Sequence, residues 1–294
     1  MLIDIIEGIG RTKEKSMFYL ILAIISSALV SIFVRLSEGK IRANVSMLAF
    51  NYMMCSVLAA SAIGLGNLLP SAKGIGATLG MGTINGVFYL AGFLLLQWNV
   101  KKNGVVMSAT FMKLGLLVPL VVSIFLFNEM PGISQVVGFI LAIAAIIIIN
   151  FEKENTTMEC KAMLPVLLIV GGTGDVMAKI YEVYGNGELS GQFLFYTFIV
   201  AMVLCIGIVL LKKERPGKLE VLFGMLIGIP NFLSAKFLLQ ALERMAAVIV
   251  YPTYSVGAMI LITLAGVGFF KEKLGRKQKV GVVVILAALV LLNL

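Results

Sequence analysis

Ten stretches of about 20 mostly apolar residues, joined by connections of only a few residues, leave this 294-residue chain little choice of solvent. They run over 17–36, 45–67, 74–98, 104–126, 132–151, 163–183, 191–211, 219–241, 246–269 and 278–294. A helix rises 1.5 Å per residue, so each is long enough to cross the roughly 30 Å hydrocarbon core of a bilayer. With 60% hydrophobic and only 13% charged residues, no aqueous surface could cover the apolar groups around one soluble core. The expectation is an all-α membrane protein of ten transmembrane helices. Its longest connection, the polar run Glu152 to Lys161, is too short to hold a soluble domain of ordinary size. Residues 1–16 are too short and too interrupted by charge for a cleavable signal peptide, and read as an interfacial lead-in.

Several chemistries are set aside by what the chain lacks or scatters. It has no histidine, which removes Ser-His-Asp triads, histidine metal sites and histidine proton relays. Cys55, Cys160 and Cys205 are odd in number and without metal-ligand spacing, so packing rather than a disulfide framework is expected of them. The 16 methionines are dispersed and read as core packing, not a metal path. The net charge of +9 sits between the apolar stretches, where it meets anionic lipid and sets orientation rather than binding nucleic acid. No GxxxxGK[ST] stretch occurs, so no nucleotide is bound through a P-loop. No cofactor is expected.

A repeat divides the chain. FLFNEMPGISQVVG (125–138) aligns with GFFKEKLGRKQKVG (268–281) at an offset of 143 residues. Six of the fourteen pairs are identical, among them Glu129/Glu272, Gln135/Gln278 and Gly138/Gly281, where chance gives roughly one or two. The same offset pairs Leu95 with Leu238, Leu96 with Leu239, Gln97 with Gln240, Val105 with Val248 and Thr110 with Thr253. The division is then a lead-in (1–16), a first five-helix repeat (17–151), a linker (152–162) and a second five-helix repeat (163–294). Because five is odd, the second copy must start from the opposite side of the membrane, making the repeats inverted, an architecture common among transporters.

The motif at these positions, a glutamate after an apolar helix, a glutamine six later and a glycine nine later opening the next helix, resembles that of the drug/metabolite transporter superfamily, and its EamA-like branch fits best. The resemblance covers essentially the whole chain. It implies a ten-helix bundle with a substrate site in a central cavity lined largely by the first four helices of each half, and a mainly architectural role for Glu129, Gln135, Gly138, Glu272, Gln278 and Gly281. The stretch VIVYPTYSVGAMILITLAGVGFFKEK is also similar to sugar-uptake relatives in the superfamily.

An ionisable side chain near the middle of a span costs about 2.5–3.5 kcal/mol on insertion scales and should face a cavity or a partner. Lys113 in the fourth stretch and Asp175 in the sixth are so placed and opposite in sign. Two readings stand: a neutralising pair joining the halves, or a site in which Lys113 receives an anionic group while Asp175 carries a proton or binds an amine. Lys179, four residues beyond Asp175, shares its helix face and could pair with it, and is counted with the candidate substrate-binding residues of the cavity. Lys236 and Arg35 lie near enough to helix ends to snorkel to headgroups, with ligand contact as the other reading for Lys236. The Gly228–Pro230–Asn231 break frees backbone groups that must face protein or a water-filled cavity. Asn85, among Gly80, Gly82 and Gly86, reads either as a cavity residue or as part of close helix packing. Tyr251 and Tyr254, flanking Pro252 and Thr253, suit a small polar or planar solute or an interfacial belt. Thr110 joins them as a candidate cavity residue. Glu129 and Glu272, each just before a helix, are expected to cap it.

Sixteen of the 24 lysines and arginines fall on the side holding the odd-numbered loops and at most seven on the side holding both termini. The positive-inside rule therefore puts the termini outside, whereas the resemblance implies termini in the cytoplasm. The expected function is that of a secondary transporter in the plasma (inner) membrane. It would move a small, anionic or zwitterionic metabolite by alternating access, with H+ or Na+ as the coupling ion if there is coupling. A lipid-modifying enzyme and a non-transporting scaffold are the alternatives from other classes.

Overall fold

The computed structural model describes residues 2–103, 108, 111–112, 114–150, 160, 162–269 and 276–293, with the side chains of 2–15, 149–150, 276–278 and 285 outside the description. Its helices are α1 (Leu2–Ser37), α2 (Asn44–Ile63), α3 (Ile75–Asn103), α4 (Leu117–Phe127), α5 (Ile133–Asn150), α6 (Met163–Tyr184), α7 (Ser190–Leu211), α8 (Lys218–Leu242), α9 (Ala247–Gly268) and α10 (Arg276–Leu292). Short 3-10 turns lie at Leu65–Asn67 and Gly187–Leu189, and no strand occurs among the described residues. The lead-in is helical and continuous with the first apolar stretch.

Seven helical stretches are long and apolar enough to cross a membrane: Ser16–Ser37, Asn44–Ile63, Ile75–Asn103, Met163–Tyr184, Gly187–Leu211, Lys218–Leu242 and Ala247–Gly268. Three apolar helices are shorter, over Leu117–Phe127, Ile133–Ile148 and Lys279–Leu292. The fourth stretch differs most from expectation, because the chain turns at Gly115 and Leu116 before α4 begins. Pro119 fits this: it has no N–H for the carbonyl of Gly115 and stands in the first turn of the restarted helix, where that N–H is not needed, whereas Pro230 and Pro252 lie inside the continuous helices α8 and α9. On α1, small residues face inward (Ala23, Ala28) while Phe18, Ile21, Ile25 and Leu29 are exposed, the arrangement expected when the outer solvent is lipid.

The chain folds as two compact units, one comprising residues 1–90 and 180–245 and the other 91–179 and 246–294. In the first unit, α8 packs on α1, α2 and α7, and α2 packs on α7. Glycines set these distances. A Cβ at Gly224 would meet the Met47 carbonyl oxygen at 2.5 Å, and one at Gly228 the Asn51 carbonyl oxygen at 2.6 Å, so α8 lies against the backbone of α2. Gly82 and Gly86 bring α3 equally close to Tyr196 and Thr197 on α7. Glu220, in the first turn of α8, accepts from the Arg42 and Ala43 amides at 2.8 and 3.4 Å and from its own N-cap, Gly217, satisfying N–H groups at the starts of two helices.

In the second unit, α5 packs on α10, and α9 packs on α4, α5 and α10. Leu116, Ala142, Ala145, Ile146, Val256, Met259 and Ala288 form its core. Gly138 lets α5 approach Ala288, Leu291 and Leu292 of α10, each 3.0 Å from where its Cβ would stand. Asn103 joins the end of α3 to the chain before α6: its Oδ1 accepts from the Cys160 amide and its Nδ2 donates to the Cys160 carbonyl. Under the 143-residue offset, α2 corresponds to α7, α4 to α9 and α5 to α10, and each of these pairs is in direct contact within its unit.

Candidate functional site

In the second unit the ionic groups gather around Glu129. The α4 helix ends at Asn128 in the left-handed conformation (φ 55°), with the Glu129 amide donating back to the Ser123 carbonyl at 3.2 Å, a C-terminal closure that suits asparagine. The turn delivers the Glu129 carboxylate to two partners. Its Oε1 lies 2.7 Å from Lys179 Nζ, and its Oε2 accepts from the Ala247 and Val248 amides at 2.7 and 3.3 Å. The α9 N-cap residue, Ala246, has no side chain able to do this. Lys179 is buried, 4% exposed, and also stands 5.6 Å from the ring centre of Phe127.

Two expectations need correction here. The i, i+4 spacing on α6 puts Asp175 and Lys179 on one face, yet the ion-pair partner of Lys179 is Glu129, which reaches it from the turn after α4. Glu129 caps α9 rather than the helix that follows it in sequence; the start of α5 is closed by Gln135, whose Oε1 accepts from the Gly132 amide at 2.9 Å.

Asp175 lies half-buried on α6, and its carboxylate has no hydrogen-bond or ion-pair partner among the described residues. Its backbone carbonyl accepts from the hydroxyl of Tyr251, which is 1% exposed and so sits inside the unit rather than in an interfacial belt. Tyr254 is half-buried on α9. Lys113, Thr110 and Glu272 lie outside the described residues, as does the side chain of Gln278, so the Lys113–Asp175 pair has no structural description. Gly281 is buried on α10.

In the first unit, Asn85 Nδ2 donates to Thr197 Oγ1 at 3.2 Å while its Oδ1 is buried without a partner among the described residues. The break expected at Gly228, Pro230 and Asn231 is absent, because α8 runs as one helix over Lys218–Leu242 with Pro230 inside it; side chains from α2 meet it there. Cys55 Sγ contacts the Gly228 carbonyl oxygen at 3.2 Å, and Asn231 Nδ2 donates to Asn51 Oδ1 at 3.2 Å. Two turns short of the end of α8, Lys236 lies 5.9 Å from the ring centre of Phe232 and lines a cavity of about 120 Å³ among α2, α7 and α8. Lys236 thus faces this recess, and Arg35 is exposed at the end of α1. Gln240, Glu243 and Ser190 also line the cavity. The signal that could have found them is the spacing Lys236, Gln240, Glu243, which is i, i+4, i+7 on one helix face.

The comparisons with known proteins extend over nearly the whole chain. An uncharacterized protein of Haemophilus influenzae is 23% identical over 285 residues, spanning 93% of this chain and 96% of the relative. A solved crystal structure superposes with a TM-score of 0.75 at 12% identity, covering 95% of this chain and 96% of the other, a likeness of fold. The sequence model of the EamA-like transporter family matches two stretches, residues 14–151 and 162–294. A match taken up twice, by apolar helices that include seven able to cross a bilayer, leaves one assignment: the chain is a multi-pass membrane protein and belongs to the EamA-like transporter family.

Proposed function

We propose that the chain is a secondary transporter of a small metabolite in the plasma membrane, working by alternating access between two inverted five-helix repeats, 17–151 and 163–294. The three shorter apolar helices are taken as further crossings, making ten. The contacts between repeat mates α2 and α7, α4 and α9, and α5 and α10 support the inverted relation, since an axis exchanging the halves would run between mates. Asp175 and Lys113 are assigned to substrate or coupling-ion handling, with Asn85, Asn231, Tyr251, Tyr254, Thr110 and Lys236 as further cavity residues, and H+ or Na+ as the coupling ion. No covalent chemistry is proposed, and small solute and lipid are the partners.

The observation that carries this reading is the carboxylate of Asp175, without a partner among the described residues, within a membrane-capable helix of a transporter-family chain. A carboxylate there is expensive unless it takes up a proton or a cation in use. Purified protein reconstituted into liposomes and screened for uptake of a metabolite panel under imposed pH and sodium gradients tests it. Gradient-driven accumulation of one solute class, lost in Asp175→Asn, is expected. Folded protein that moves no solute in either direction under any gradient would overturn it.

A further inference from the structure

A second cavity in the first unit, about 150 Å³, lies between α2 and α7, walled by Ser46, Ala49, Phe50 and Met53 of the one and Ile206 and Val209 of the other. The α2 residues follow i, i+3, i+4, i+7 and so make one helix face, running about 10 Å down from the start of the helix. The groove is apolar: the hydroxyl on it, Ser46 Oγ, is turned to Glu214 Oε2 at 2.9 Å. Water finds little to bond there, and space of that kind takes apolar groups. Ile206 is exposed along it, with Val203 and Leu210 exposed on the same helix, so its open side belongs to a surface that suits lipid.

The chain at the mouth of this groove is basic. Helix α7 closes with the Glu214 amide donating to the Val209 carbonyl at 3.0 Å and the Lys213 amide to the Leu210 carbonyl at 3.1 Å, while Lys213 is left-handed at φ 52°. This is a Schellman closure, in which glycine is the usual left-handed residue. A lysine there strains the backbone, so the turn itself does not call for it. The closure folds the chain back until Pro216 also lines the groove. Lys212, Lys213 and Arg215, all exposed, therefore stand on the few residues between two lining residues, Val209 and Pro216. Lys40 and Arg42, just before α2, are exposed at the same end. The neighbouring carboxylates are already engaged: Glu214 by Ser46, and Glu220 by the amides of Arg42, Ala43 and Gly217.

An apolar slot with cations at its mouth matches the two ends of one molecule. We propose that this groove holds an anionic phospholipid, with an acyl chain between α2 and α7 and the headgroup phosphate accepting from Lys212, Lys213 and Arg215. A zwitterionic phospholipid would fill the slot equally but bring an ammonium to a basic loop. Free phosphate would meet the cations and leave the slot unfilled. The site needs only that the chain lies in a bilayer, whichever solute crosses it.

The test is native mass spectrometry of the full chain released from detergent micelles and titrated with dioleoyl phosphatidylglycerol or dioleoyl phosphatidylcholine, whose acyl chains are identical. Phosphatidylglycerol is expected to be held about tenfold or more tightly than phosphatidylcholine, since each nearby lysine or arginine adds about fivefold toward an anionic lipid. The triple variant Lys212→Gln, Lys213→Gly, Arg215→Gln should erase that preference. Its melting temperature should hold or rise, because glycine relaxes the left-handed turn. Lys101→Gln with Lys102→Gln, at the basic end of α3, should leave the preference intact. Ile206→Trp, which sets bulk into the groove from an exposed position, should weaken both lipids at least about threefold. Should it fail to fold, dihexanoyl phosphatidylglycerol takes its place, with the same headgroup on short chains and binding at least about tenfold weaker than the dioleoyl form. Equal retention of the two dioleoyl lipids would overturn the site, as would a preference that survives the triple variant or falls equally with the Lys101 and Lys102 substitutions. Binding indifferent both to bulk at Ile206 and to chain length would overturn it too. Displacement of phosphatidylglycerol by inorganic phosphate at equal concentration would mark a free-phosphate site instead.

Discussion

Lys179 and Glu129 meet at 2.7 Å, and the same carboxylate closes the first turn of α9 through the Ala247 amide. One side chain therefore serves three elements of the second unit: the turn after α4, the C-terminal part of α6 and the start of α9. The two partners depend on it unequally. Without Glu129 the buried Lys179 loses its counter-ion and α9 its cap, whereas without Lys179 the carboxylate keeps two backbone donors.

That asymmetry sets the first prediction. Glu129→Ala should cost about 3 kcal/mol, the usual penalty for stranding one member of a buried pair, and Lys179→Met about 1–2 kcal/mol. Thermal unfolding of the purified variants checks the order. A double variant as destabilised as the sum of the singles would mean the two residues are not coupled.

Close helix approach in the first unit makes Gly228 intolerant. A methyl group there meets the Asn51 carbonyl oxygen at 2.6 Å and Met54 Cβ at 2.6 Å, and overpacking of this sort costs about 1–3 kcal/mol. Gly207 on α7 has open space around it. Gly228→Ala should lower the melting temperature, and Gly207→Ala should leave it unchanged or raise it.

Tyr251→Phe removes the hydroxyl that donates to the Asp175 backbone carbonyl, so about 1 kcal/mol of stability should go with it. If Asp175 handles the coupling ion, Asp175→Asn should retain folding but lose gradient-driven accumulation, while solute exchange across the membrane without a gradient persists. Loss of both activities in a well-folded Asp175→Asn would place it on the solute instead.

Cysteine accessibility offers a check of the packing itself. Cys55 and Cys205 are fully buried, and Cys160 is half-buried. Alkylation of the native protein by a water-soluble maleimide, read by mass spectrometry, should modify Cys160 first and leave the other two until unfolding.

Much of the helical architecture was legible because a lipid solvent imposes long apolar runs, and those runs mark where the helices lie. The interruption at Gly115–Leu116 was not, since hydropathy continues smoothly through Pro119 and a proline can equally lie inside an unbroken helix, as Pro230 and Pro252 do. Glu129 shows the same limit at the site. Its motif was readable, but a carboxylate before a helix is read as capping that helix, and nothing local indicates that Gln135 closes α5 while Glu129 reaches α9. For Lys236, distance from the helix end suggested headgroups, because a single chain cannot reveal that α2 and α7 fold around it to form a recess. Gln240 enters the sequence reading only as a repeat position and Glu243 does not enter it; their shared face with Lys236 is a helical periodicity that polar residues carry as surely as apolar ones.

The cap of α9 by Glu129 also has a consequence in time. The carboxylate leaves the ribosome well over a hundred residues before Ala247, and at about 5–20 residues per second it waits roughly ten seconds for the helix it will close. Throughout that interval it must remain hydrated or be held by Lys179 alone once α6 has arrived, so the second unit cannot finish assembling until late in synthesis, and a nascent chain halted before α9 would expose a charge that the finished protein conceals.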